Sequence, residues 1–274
     1  MPVKIVFSDI DGTFLTNDHH VTDKTEYAVN QLLNQNIPFV LVSARMPEAI
    51  YPITERLGIR IPIICYSGGL VLTEFEEGLY SKTIDREVTK RLIATLEEFW
   101  SQVTVNYYSG RRWFVRDVND ERVKHEENIT GATANVVDFH ELLEVGMLPN
   151  KILTMSDPPD CEMMERELGK MFPELNVVRS SKFLLEIMDK SVSKATGIEI
   201  MLKHYDFDPK DAIGFGDNYN DIEMFKYVGR GIAMDNAPAP IKEMVSDVTD
   251  SNEDSGIYSY LVKAGIIRAC PSDA

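Results

Sequence analysis

Positive charge is what this chain is short of. Its 28 lysines and arginines stand against 44 aspartates and glutamates, a formal net charge of −16. A field of that sign repels polyanions, which excludes nucleic acid and anionic membrane surfaces as main partners. An anionic substrate would then need a metal ion or a few placed basic side chains at its own site. Cysteine is scarce as well. Cys65, Cys161 and Cys270 are odd in number and lack metal-ligand spacing, which argues against a disulfide framework and for a reduced, cytoplasmic setting. No apolar run approaches the roughly 18 residues of a membrane span, and the N-terminus runs into a strand without a signal-peptide pattern. Internal repeats and low-complexity tracts are missing too. The 274 residues that remain allow one large or two modest domains, each able to bury a core.

Three short apolar runs organise the first part. VKIVFS ends at Asp9, PFVLVSA covers Pro38 to Ala44, and IPIICYSGG covers Ile61 to Gly69; each reads as a buried strand. Between them, Thr22 can cap a helix with Ala28, Val29, Leu32 and Leu33 on one face. Pro47 can open a second helix, in which Pro52 requires a kink or a later start. Alternating strands and helices predict a doubly wound parallel sheet. From about Thr83 to Lys190 the strands instead alternate apolar and polar residues. VTVNYY, turned by Ser109-Gly110 into RRWFVRD, reads as a hairpin, with helices near Arg86–Trp100 and Pro159–Phe172. The parallel pattern returns with a helix over Val192–Tyr205, then AIGFGD, RGIAM and a last helix near Ser255–Ala264. The expected organisation is an α/β core of residues 1–82 and 191–274, with an α+β domain inserted at 83–190.

In such a sheet, ligands bind outside the carboxyl ends of the strands. The first strand ends in Asp9-Ile10-Asp11, the second in Ser43, and AIGFGD in Asp217-Asn218-Tyr219-Asn220-Asp221. Taken singly these are ordinary: Asp11-Gly12 reads as a turn, Asp217 and Asp221 as a solvated helix start, Lys194 as a surface lysine. An EF-hand loop counted from Asp9 reaches His20 where glutamate is needed, and a strand precedes it, so that reading is discarded. Taken together, four acids, a hydroxyl and a lysine at one edge suit a divalent cation and an anion. Magnesium prefers a few carboxylates, water and substrate phosphate. Beside it, one carboxylate can serve as a nucleophile that forms an aspartyl-phosphate, and its neighbour as a general acid.

At these residues the sequence resembles the haloacid dehalogenase superfamily, in its Cof-type (class IIB) sugar-phosphatase-like branch. DIDGT (Asp9 to Thr13), VSA around Ser43, Lys194 in KSVSKATG, and GDNYND (Gly216 to Asp221) are similar to its four motifs. The resemblance spans essentially the whole chain and implies a Rossmann-like core with an inserted cap. It implies a Mg2+-dependent phosphatase of small phosphorylated metabolites; a monomer or small homo-oligomer is the expectation, which the sequence does not narrow further. Asp9 would be nucleophile and metal ligand. Asp11 would be general acid, then base, with its carbonyl on the metal. Ile10, Ser43, Ala44 and Asn220 would bind the phosphoryl oxygens, and Lys194 would neutralise charge. Asp217 would be a metal ligand, Asp221 an acid in the layer behind it, and Arg45 either faces the phosphate or forms a salt bridge. The chain departs from the pattern at Ser67-Gly68, at Ser43-Ala44-Arg45, and at Asp235, which puts in doubt a direct ligand role for Asn236. Arg111 or Arg112 of YYSGRRWFVR could reach a second polar part of the substrate, or lie solvated on an ordinary hairpin. The alternatives are a phosphotransferase or mutase on the same scaffold and, farther off, a receiver-like phosphate-binding protein.

Overall fold

A computed structural model describes residues 2–273. Its strands, in chain order, are β1 (Ile5–Asp9), β2 (Phe39–Val42), β3 (Ile63–Cys65), β4 (Leu70–Leu72) and β5 (Gly78–Ser81). There follow β6 (Thr104–Ser109), β7 (Arg112–Val115), β8 (Ala134–Val136), β9 (Lys151–Met155), β10 (Leu175–Arg179) and β11 (Leu184–Asp189). The last are β12 (Ala212–Gly216), β13 (Arg230–Ala233) and β14 (Asp247–Val248). They form two sheets, ordered β14-β13-β12-β1-β2-β3-β4-β5 and β10-β11-β9-β6-β7-β8.

The chain divides into two compact units. The first comprises 1–44, 54–79 and 193–274, and the second 45–53 and 80–192. Residues 45–53 thus group with the second unit, although the sequence reading has them in 1–82.

In the first unit, β14, β13, β12, β1, β2 and β3 run parallel, and β4 turns back antiparallel on β3. Ile5, Val6, Phe7, Phe39, Val40, Leu41 and Val42 are all fully buried, the continuous apolar pattern of strands covered on both faces. Helix Asp23–Asn34 starts where expected, with Thr22 Oγ1 accepting the Thr25 N–H. It packs against Gly256–Lys263, while Lys194–Tyr205 packs against Ile222–Tyr227. Pro52 enforces the later start: Pro47–Ala49 is a short 3₁₀ turn, and the α-helix spans only Tyr51–Arg56, with Pro52 in its first turn. The run Ile61 to Gly69 is not one strand, because β3 stops at Cys65. Tyr66 and Ser67 take left-handed φ values of 51° and 53°, and the chain reverses into β4.

The second unit is α+β. One face of its sheet, with Tyr107, Phe114, Ile152, Leu185 and Ile187, is covered by Leu92, Ile93 and Leu96 of Arg86–Phe99, by Phe139 and Leu142, and by Cys161, Met164 and Leu168 of Pro158–Met171. In the hairpin, Ser109 pairs with Arg112, so the turn residues are Gly110 and Arg111 rather than Ser109 and Gly110. Gly110, with φ +57°, takes the position that needs a left-handed backbone. Asp120 and Gly131 cap a polar helix, Glu121–Thr130, that weak periodicity hides. All three cysteines are free thiols. Among the described residues, no helix is long and apolar enough to cross a membrane.

Candidate active site

Three neighbouring parallel strands, β2, β1 and β12, end at one edge of the first sheet. Asp9 is the last residue of β1, Ser43 follows β2, and Asp217 follows β12. Lys194 arrives from another direction, at the first position of helix Lys194–Tyr205, whose start is capped by Ser193 Oγ accepting the Thr196 N–H. A cation there opposes the helix dipole, so acidic partners must hold it. It has two: Lys194 Nζ donates to Asp9 Oδ1 and, at 2.6 Å, to Asp221 Oδ1.

Both ends of this bridge are buried. Lys194 is 2% exposed, Asp9 6% and Asp221 0%. Burial would lower the lysine's pKa, but the Asp221 and Asp9 carboxylates outweigh it and hold the ammonium charged, with its pKa above the usual lysine value. Burial pushes the Asp9 carboxyl well above the usual carboxylate range; Lys194 opposes that rise and Asp221 adds to it. Asp221 is fully committed, since its Oδ2 accepts the backbone N–H groups of Asp217 and Asn218 at 2.9 and 3.0 Å.

Asp217 is held by Thr13, whose hydroxyl donates to its Oδ1 at 2.7 Å. Burial pushes its carboxyl up to about 6 despite that bond. Gly12, at φ +79°, lies directly against it, and a Cβ there would come within 2.5 Å of Asp217 Oδ2. No other residue type fits that turn. Gly68 serves the other wall. At φ +105°, a Cβ on it would fall 2.0 Å from the Ser193 carbonyl, so only glycine lets the turn after β3 reach the start of the helix carrying Lys194.

Oxygens of Asp9, Asp217 and Asp221 lie within 4.8 Å of one another. With Asp221 spent on Lys194 and two N–H groups, Asp9 Oδ2 and Asp217 Oδ2 are left without hydrogen bonds among the described residues. Two hard carboxylates with oxygens within 4.8 Å of each other fit a magnesium ion.

The other expected site residues fall as follows. Asp11 is exposed, with His19 Nδ1 3.8 Å from its Oδ1. The Ile10 carbonyl accepts the Phe14 and Leu15 N–H groups and shapes the turn. Ser43 is buried and ties two strands' ends together: its N–H donates to Ile64 and its carbonyl accepts from Ser67. Ala44 is half-buried and Asn220 exposed. Arg45 belongs to the second unit, where Nη1 donates to the Ala49 carbonyl at 3.4 Å. Arg111 is engaged within that unit too, with Nε donating to Glu48 at 2.6 Å and the guanidinium over the Tyr51 ring. Asn236 does not point at the acids but donates to the Gly12 carbonyl at 2.8 Å. Sequence reasoning missed Thr13 and Asn252 as parts of the site's support. Thr13 was inside a quoted motif, whereas Asn252 carried no signal of spacing or pattern.

Comparison with known proteins points one way. The sequence profile of a family described as haloacid dehalogenase-like hydrolase matches residues 6–261. A Haemophilus influenzae protein provisionally named a phosphatase is 33% identical over 262 residues, covering 95% of this chain and 98% of that one. A solved structure of a haloacid dehalogenase-like hydrolase from Bacteroides thetaiotaomicron superposes with a TM-score of 0.86 at 24% identity, covering 96% and 99% of the two chains. Another, described as a subclass IIB sugar phosphatase, gives 0.82 at 23% identity over 97% and 100%.

Proposed function

Because this chain belongs to the haloacid dehalogenase-like hydrolase family, we propose that it is a magnesium-dependent phosphatase acting on small phosphorylated metabolites, sugar phosphates or similar monoesters, through an aspartyl-phosphate. The observation that carries the reading is the buried Lys194 bridge between Asp9 and Asp221 with Asp217 beside it. A buried ammonium that donates to a strand-end carboxylate orients it and offsets its charge, which suits a nucleophile.

When bound, magnesium would be held by the Asp9 and Asp217 side chains with the Asp11 carbonyl, and would offset charge on the phosphoryl group. The chain's own residues do the rest. Asp9 attacks phosphorus, and its new O–P bond forms as the ester P–O bond breaks. Asp11 gives its proton to the departing oxygen. Asp11 then takes a proton from a water whose oxygen attacks the same phosphorus, which releases phosphate and returns the Asp9 carboxylate. Ser43, Asn220 and the backbone at Ile10 and Ala44 are assigned to the phosphoryl oxygens. Lys194 balances the charge of Asp9, and Asp221 keeps Lys194 in place. Reading of the leaving group is assigned to the second unit, as the cap expected at 83–190.

The test is phosphate release from a panel of sugar phosphates, nucleotides and cofactor phosphates, with Mg2+ and then with EDTA. Release that needs the ion and favours some esters is the expected result. Release only when a sugar acceptor is added would make the protein a phosphotransferase. No release from any ester would sink the reading.

A further inference from the structure

The segment after β14 grips the turn Asp11–Leu15 through side-chain amides instead of strand pairing. Asn252 is buried, and its Nδ2 donates to the Leu15 carbonyl at 2.9 Å and to Asn17 Oδ1 at 3.5 Å. Its backbone N–H donates to Asn236 Oδ1 at 3.1 Å, and Asn236 Nδ2 donates onward to the Gly12 carbonyl at 2.8 Å. Two side-chain amides therefore hold the two limbs of the turn, Asn252 at Leu15 and Asn236 at Gly12. On the turn's other side, Gly12 abuts Asp217 and Thr13 bonds to it. Neither asparagine bonds to Asp9, Lys194 or Asp217.

Asn252 also carries an unexplained burden. Its Oδ1 is buried and has no hydrogen-bond partner among the described residues. A buried acceptor that has lost water and gained nothing destabilises the fold. The side-chain amide is therefore retained for its N–H groups, whose acceptors are Leu15 and Asn17, while the backbone N–H of residue 252 is what meets Asn236. Sites where local rules are broken in this way tend to be those that serve function.

We propose that Asn252 and Asn236 are positioning residues that set the Asp11–Leu15 turn against Asp217, and so fix the oxygen set that takes a divalent cation. The inference rests on the phosphatase reading for its purpose, but its test needs no turnover. Asn236 is exposed, so Asn236→Ala should keep the fold, which circular dichroism verifies. Mg2+ affinity is measured by calorimetry in the full chain. Asn236→Ala and Asn252→Ala are each expected to weaken it threefold or more. A folded variant of either asparagine that loses less than threefold overturns the proposal. Phosphate release by the wild type is measured alongside. A wild type that binds Mg2+ but releases no phosphate refutes the phosphatase reading and leaves the calorimetry to decide this one. A wild type that binds no Mg2+ overturns both.

Discussion

Metal-free protein should lose stability between pH 5 and pH 7.5, and magnesium should give it back. Burial carries Asp217 from 3.8 to about 6. A carboxyl with a folded value above its unfolded one holds its proton more tightly in the native state. Its stabilising contribution is full below 3.8 and is lost as pH rises through about 6. The whole rise is worth about 3 kcal/mol, but about half of it is already gone at pH 5, so about 1.4 kcal/mol is lost between pH 5 and pH 7.5. Asp9, raised by its own burial, acts in the same direction. Magnesium replaces the proton: at 100 times its Kd it adds about 2.7 kcal/mol at pH 7.5. At pH 5 the proton outcompetes it about tenfold, which removes about 1.4 kcal/mol of that gain. Urea titrations at both pH values, in EDTA and in Mg2+, measure this for the wild type and for Asp217→Asn. The two tryptophans, Trp100 and Trp113, both lie in the second unit, so unfolding should be followed by far-UV circular dichroism. The variant should lose the Asp217 share of the pH slope seen in EDTA and keep the share that comes from Asp9. Parallel slopes for the two proteins, or an equal magnesium gain at both pH values, would refute the reasoning.

Three further outcomes are expected. Asp9→Asn should abolish phosphate release while the circular dichroism spectrum is kept, since an amide is a poor nucleophile; near-normal turnover would exclude the covalent route. Asp11→Asn should retain Mg2+ binding and lose about 10²–10⁴-fold in rate on esters with poor leaving groups, and a loss under tenfold would remove Asp11 from its role. Lys194→Met leaves two buried carboxylates facing each other, so it should cost about 3–5 kcal/mol in EDTA. A urea midpoint unchanged from the wild type would mean that the bridge holds nothing together.

Much of the first sheet was legible because its signals are local. Apolar runs of four or five residues mark β1, β2 and β12, and Thr22 marks a helix start by its own side chain. The acids were legible for a related reason: they sit at strand ends, where topology alone brings them together. What escaped is what depends on partners far along the chain. β3 stops at Cys65 because Gly68 must pass within touching distance of Ser193, and no pattern near residue 68 reports that. The grouping of 45–53 with the second unit rests on contacts such as Arg111 with Glu48. Asn252 reads as one more polar loop residue until its amide is seen on Leu15. Helix Glu121–Thr130 was missed for want of an apolar stripe, though Asp120 and Gly131 cap its two ends.

The Lys194–Asp9 bond joins residues 185 positions apart, and β1 pairs with β12 across a similar gap. On a ribosome, then, the first strand is among the earliest segments made and can pair with β2 early, but it is among the last to gain its second neighbour, β12. The second unit has its own apolar centre, drawn from residues 84 to 187, and is complete before Lys194 is added. Asp9 therefore waits through most of synthesis without its counter-charge and without Asp217. A product that terminates early, anywhere before residue 194, carries the nucleophile but lacks Lys194, Asp217 and Asp221. Such fragments would be chemically inert toward the cell's phosphate esters, whatever else became of them.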